Sequence, residues 1–125
     1  MPPYHRPVRH LALAVSDQAR SRRFYETYFG FVPEASLRAD GTLLLHDAAG
    51  FSLALHEVAE PIVLPPFLHF GTVLPTPDDV RRFRDRIVSD GCTVVDWWDE
   101  PDYVSVKLRD PDGYVVEVAW EPVGS

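Results

Sequence analysis

The feature that most constrains this chain is an internal repeat. With His10 set against His69, an offset of 59 residues, Val15 falls on Leu74, Arg22 on Arg81, Arg23 on Arg82 and Phe24 on Phe83. Repetition at such a period means one supersecondary unit built twice. Each half reads as strand, helix, then three strands. The pattern predicts an α+β fold of two βαβββ modules, 8–58 and 67–121, each a four-stranded curved mixed sheet with one helix. Pro61, Pro65 and Pro66 deny regular structure to 59–66, which is the linker. A length of 125 residues suits one domain, 1–125.

Local signals place the elements. On the first strand, Leu11, Leu13 and Val15 alternate with His10, Ala12 and Ala14, so the two sets face opposite ways. Ser16 is the candidate N-cap of a helix running to about Phe29, with Asp17 in its first turn and Gly30 as its stop. The pairs Phe24/Tyr28 and Tyr25/Phe29, four apart, mark its buried side. Strands follow near 31–38, 42–47 and 51–58, with turn signals at Asp40-Gly41 and Ala49-Gly50. The second module has a strand near 67–74 and a helix capped by Thr76 with Pro77 at its first position. In that helix Val80, Phe83 and Ile87 share one face, and Asp90-Gly91 ends it. Strands near 92–98, 102–108 and 114–120 complete the module, the last two joined by Asp110-Pro111-Asp112-Gly113.

Alternation assigns helix-facing and concave sides. On the last strand Val116, Val118 and Trp120 point to the core, which sends Glu117 to the concave side. A carboxylate inside Tyr-Val-Val-Glu-Val-Ala-Trp is costly to bury without a partner; a metal ion or a cationic side chain would supply one. His10 and His69, at equivalent module positions, also face the concave side. Two imidazoles and a carboxylate on different strands form the facial set that holds a divalent metal with open positions: iron, manganese, zinc, nickel or cobalt. His10, His69 and Glu117 are the metal-ligand candidates. His56, Tyr103 and Lys107 are the catalytic candidates on the same side. His56 would transfer protons, Tyr103 would donate to a bound oxygen, and Lys107 would hold an anionic group or extend to water. Ser52, Ala54 and Ser105 share their faces. The neighbours Trp97 and Trp98 point opposite ways, one to the core and one to the cavity.

The stretches His10-Leu-Ala-Leu-Ala-Val15, Phe24-Tyr25-Glu-Thr-Tyr-Phe29-Gly30-Phe31 and Asp110-Pro-Asp-Gly113-Tyr-Val-Val-Glu117 resemble the vicinal oxygen chelate superfamily of glyoxalases, bleomycin-resistance proteins and dioxygenases. The resemblance covers about 8–121. It implies four metal-ligand positions, which fall on His10, Ala54, His69 and Glu117. Ala54 departs from the glyoxalase I pattern and opens a coordination position. The remaining His, His, Glu set is similar to that of extradiol dioxygenases and fosfomycin thiol-transferases. Ala12 departs from the fosfomycin pattern, where the first strand reads His-x-Thr. The resemblance further implies a homodimer with cavities shared between subunits, His10 coming from one chain and His69 and Glu117 from the other.

Composition narrows the partners. A net charge of −7 argues against nucleic acid, whose phosphates need a basic face. The arginine clusters at 20–23 and 81–86 sit on helices beside acidic residues and read as solvated faces. No apolar run reaches the ~20 residues of a membrane span, and the N-terminus lacks a signal-peptide core. The expected location is cytoplasmic. Cys92 is the one cysteine; it has no internal disulfide partner and reads as a buried thiol at a strand start. Three functions remain open: a divalent-metal-dependent dioxygenase, lyase or isomerase acting on a small oxygen-chelating substrate; a metal-free protein that sequesters a small molecule or antibiotic; and a relic with an unused site.

Overall fold

The computed structural model describes residues 5–122. The chain divides between Val63 and Leu64 into two compact units, and this boundary lies inside the Pro-rich linker. Each unit is one of the two modules.

The first unit runs β1 (His10–Val15), α1 (Gln18–Phe29), β2 (Val32–Pro33), β3 (Leu43–His46) and β4 (Ser52–Glu57). Its sheet has the order β1-β4-β3-β2, with β1 parallel to β4 and the other pairs antiparallel. Leu13, Val15, Leu43, Leu45, Leu53 and Leu55 are buried, and Tyr25 of α1 is buried with them. Each such side chain contributes about 1.5–3 kcal/mol on leaving water. The opposite face of the sheet carries His10, Ala12, Ser52, Ala54 and His56, as the alternation predicts.

Three local expectations are corrected. The N-cap of α1 is Asp17, not Ser16: Asp17 has extended backbone, and its carboxylate accepts the Arg20 amide at 3.0 Å. The strand expected over 31–38 shrinks to Val32–Pro33, because Pro33 has no N–H to give the ladder. One further bond, Glu34 N–H to the Leu44 carbonyl, ends the pairing. Cys92 lies ahead of the strand and is half-buried; its amide bonds the Ile87 carbonyl at the helix end.

The second unit repeats the plan with β5 (His69–Val73), α2 (Pro77–Ser89), β6 (Val94–Glu100), β7 (Tyr103–Arg109) and β8 (Val115–Trp120), in the order β5-β8-β7-β6. Thr76 caps α2, accepting the Asp79 amide, with Pro77 at the first turn. The helix packs on β7 and β8, and Val80, Ile87, Val104, Val106, Leu108, Val116 and Val118 form its core. Trp97 turns to the helix side, under the Arg84 guanidinium at 5.0 Å. Trp98 is half exposed on the other side, where its indole N–H donates to Asp96.

The β7–β8 turn is held by one buried carboxylate. Asp110 accepts the amides of Asp112 and Tyr114, both at 2.9 Å, and its carbonyl accepts from Gly113. That turn fixes the register of β7 on β8, which sets Lys107 opposite Glu117 and Ser105 opposite Ala119.

Candidate functional site

In the second unit the non-helical face of the sheet gathers polar groups around Glu117. Its carboxylate is mostly buried, with 18% of the side chain exposed. One oxygen, Oε2, accepts hydrogen bonds from the Tyr103 hydroxyl and from Ser105 Oγ, the latter at 2.5 Å. The other, Oε1, lies 3.5 Å from Nε2 of His69. Burial pushes the Glu117 pKa up. The hydrogen bonds from Ser105 and Tyr103, with the charges of Lys107 and His69, outweigh burial and hold it below the ordinary glutamate value. Burial and the bond to Glu117 raise Tyr103, which stays a protonated donor.

His69 is oriented from its other nitrogen. Nδ1 stands 2.9 Å from the Phe67 carbonyl oxygen. A carbonyl can only accept, so Nδ1 is the donor here, and the other ring nitrogen, Nε2, is the one turned to Glu117. This is the arrangement in which an imidazole binds a metal. Phe67 reaches it through an unusual backbone, at φ 67°, and its ring meets the His69 ring edge-on at 5.1 Å.

Gly71 makes the strand pairing at this point possible. It is the register partner of Glu117 on β5, and a Cβ built on it would stand 2.0 Å from the Glu117 carbonyl oxygen. Only a residue without a side chain fits there. The cavity beside the pair measures about 340 Å³ and is lined by His69, Gly71, Tyr103, Glu117 and Glu121.

The first unit presents a different set. His10 is exposed at the start of β1 and in register with Ser52. Ser52 Oγ is 2.9 Å from His46 Nδ1, and His46 Nε2 donates to Glu34 at 2.6 Å. This bond to His46 holds Glu34 below the usual carboxylate range. His56 lies at the far end of the same face, where its Nδ1 meets Thr42 Oγ1 at 2.8 Å. His46 and Glu34 were missed in the sequence. The alternation of Leu43 and Leu45 into the core was the available signal for His46, but nothing in the sequence tied Glu34 to it.

Strand register locates the module-equivalent of Glu117. Glu117 pairs with Gly71, two residues beyond His69. In the first unit the residue paired with Ala12, two beyond His10, is Ala54. The expected ligand position is therefore a methyl group in one module and a carboxylate in the other. Among the described residues no three His, Cys, Asp or Glu side chains gather as a group able to hold a metal. Within the second unit, the His69–Glu117 pair does fit one ion. Metal bonds of about 2.0–2.2 Å to an imidazole nitrogen and a carboxylate oxygen set the two donors roughly 3 to 3.5 Å apart.

The family model of the Glyoxalase/Bleomycin resistance protein/Dioxygenase superfamily matches residues 8–118. The chain belongs to this superfamily. Solved structures of the superfamily's fold align over nearly the whole length. A possible glyoxalase from Bacillus cereus is 27% identical, with a TM-score of 0.76 over 90% of this chain and 96% of its own. The fosfomycin resistance protein FosX from Listeria monocytogenes is 16% identical, with a TM-score of 0.79 over 95% and 96%. Lactoylglutathione lyase from Agrobacterium tumefaciens is 21% identical, with a TM-score of 0.72 over 96% of both chains. No curated protein matches the sequence. Among the described residues no helix is long and apolar enough to cross a membrane.

Proposed function

We propose that this superfamily member is a divalent-metal-dependent enzyme acting on a small substrate through two vicinal oxygens. His69 and Glu117 are two of its protein ligands and His10 is the third, supplied by the first module of the same chain or of a second copy in a homodimer. The observation that carries the reading is the state of the His69–Glu117 pair. The Phe67 carbonyl holds Nδ1 of the imidazole, Tyr103 and Ser105 hold Oε2 of the carboxylate, and the remaining Nε2 and Oε1 stand 3.5 Å apart. The ion would be iron, manganese, zinc, nickel or cobalt.

When bound, the ion would supply Lewis acidity and open positions for substrate oxygens. The chain's own residues do the rest. Tyr103 and Ser105 occupy Oε2 of Glu117, which leaves Oε1 to bind and keeps the carboxylate from rotating. Once that carboxylate is engaged, the Tyr103 hydroxyl can turn its donor to a substrate oxygen. Lys107, across from Glu117, offers a positive charge to an anionic group. His56 is the proton-transfer candidate on the first module's non-helical face, beside Thr42. Dioxygenase, lyase and isomerase chemistry share these parts.

The test is metal binding by stripped protein, with iron, manganese, zinc, nickel and cobalt offered in turn to wild type, Glu117→Ala and His10→Ala. Stoichiometric uptake of one ion, lost in Glu117→Ala and weakened in His10→Ala, supports the reading. If every ion stays at background, the metal site is wrong and the chain is better read as a metal-free protein that sequesters a small molecule.

A further inference from the structure

A second cavity in the same unit adjoins the first at His69. It measures about 380 Å³ and lies between the linker segment 64–68 and the sheet. Its floor carries Lys107, Arg109 and Asp96, and its apolar side is made by Leu64, Phe67 and Val115. The strand alternation that puts Lys107 opposite Glu117 puts Arg109 on the same face.

The lining of this cleft carries two basic side chains, Lys107 and Arg109, and one carboxylate, Asp96, in a protein of net charge −7. The carboxylate is already engaged: Asp96 accepts from the Trp97 amide and the Trp98 indole, both at 3.0 Å. The Lys107 ammonium is 3.8 Å from Asp96, too far for a hydrogen bond. Its side chain is only 21% exposed; the face of Phe67 lies at 5.6 Å, and the Glu117 carboxylate, its register partner, acts on it by charge without a hydrogen bond. A half-buried ammonium with three donors and no hydrogen-bonded partner among the described residues is costly unless a ligand supplies one. Arg109 spends one nitrogen on the Gly113 carbonyl at 2.8 Å and has others to offer. Phe67 is 78% exposed, and its left-handed backbone holds the ring over this cleft rather than in a core. A large apolar ring kept in water at a strained residue marks a surface prepared for contact.

We propose that this cleft is an anion subsite, in which Lys107 and Arg109 bind the carboxylate or phosphonate of a small molecule whose apolar body lies against Phe67. Because His69 lines both cavities, a molecule seated here places its remaining oxygens beside His69 and Glu117. Calling that molecule the substrate rests on the metal-enzyme reading; the preference for anions does not.

The experiment titrates metal-free protein with benzoate, phenylphosphonate and neutral benzyl alcohol, followed by amide chemical shifts. Benzoate or phenylphosphonate should perturb the amides of 64–69 and 107–109 and bind more tightly than benzyl alcohol. Which of the two anions binds tighter tells carboxylate from phosphonate chemistry. The double variant Lys107→Gln, Arg109→Gln should weaken anion binding roughly tenfold or more, with benzyl alcohol unchanged. Lys107→Arg alone should largely retain it. Glu117→Ala should keep anion binding even if it abolishes metal uptake, so the two readings fail separately. Equal affinity for the neutral probe, undiminished anion binding by the double variant, or no anion binding by wild type would each overturn the subsite.

Discussion

The Phe67 carbonyl accepts the Nδ1 proton of His69 across 2.9 Å, and Phe67 adopts a left-handed backbone at φ 67° to do so. Non-glycine residues in that region cost of order 1–2 kcal/mol. The strain sits where the linker meets β5 and next to an imidazole, His69, that shares a cavity with Glu117. Replacing Phe67 therefore separates stability from site geometry.

Phe67→Gly should fold as well as wild type or better, by up to about 1 kcal/mol, because glycine takes positive φ without penalty and little apolar surface is lost from an exposed ring. Metal affinity should fall at the same time, since the more flexible segment holds the His69 ring less firmly. Urea unfolding and metal titration of the variant check the two halves.

Gly71→Ala should be strongly destabilising. The added methyl would stand 2.0 Å from the Glu117 carbonyl oxygen and 2.8 Å from its carbonyl carbon, both backbone atoms that cannot swing aside. Displacing β5 from β8 should cost about 2 kcal/mol or more. A midpoint of unfolding within error of wild type would contradict this.

Asp110→Ala removes the acceptor for two turn amides at a site only 5% exposed. The expected loss is about 1–3 kcal/mol. Amide exchange should rise first at 110–114 and along the β7–β8 pair, because the turn sets their register.

Glu117 ties folding of the metal-free protein to pH. Its pKa in the folded state lies below the unfolded value near 4.5. The stability it contributes is therefore complete above that unfolded value and is lost as pH falls through the lower folded pKa. Glu117→Gln should flatten the acid limb of stability against pH. An unchanged acid limb would mean that Tyr103 and Ser105 do not favour the ionised form.

Much of this was legible in the sequence. The offset between His10 and His69 revealed the duplicated module, and strict alternation on β1, β7 and β8 put His10, Lys107 and Glu117 on the non-helical faces. Thr76-Pro77 and Asp110–Gly113 announced a cap and a turn through local chemistry alone. What failed was decided by contacts far apart in sequence or by competition between adjacent residues. Ser16 and Asp17 both suit an N-cap, and only the backbone decides which carboxylate or hydroxyl reaches the Arg20 amide. Phe67 was expected to open the strand near 67–74; β5 begins instead at His69, and Phe67 ahead of it orients His69 and walls a cavity, because a positive φ at phenylalanine has no sequence signature. The Glu34–His46–Ser52 chain joins three segments that only the sheet brings together.

The register match between Ala54 and Glu117 also fixes how far this chain stands from a different ligand set. Every alanine codon lies one base from an acidic codon, so a single nucleotide change would offer a carboxylate at the first module's equivalent position. The backbone there, paired with Ala12 and Leu44, is already a regular strand. On the proposed metal reading, whether an ion would find three protein donors or four is thus written in one side chain and not in the scaffold, and the scaffold would not have to be rebuilt to change the count.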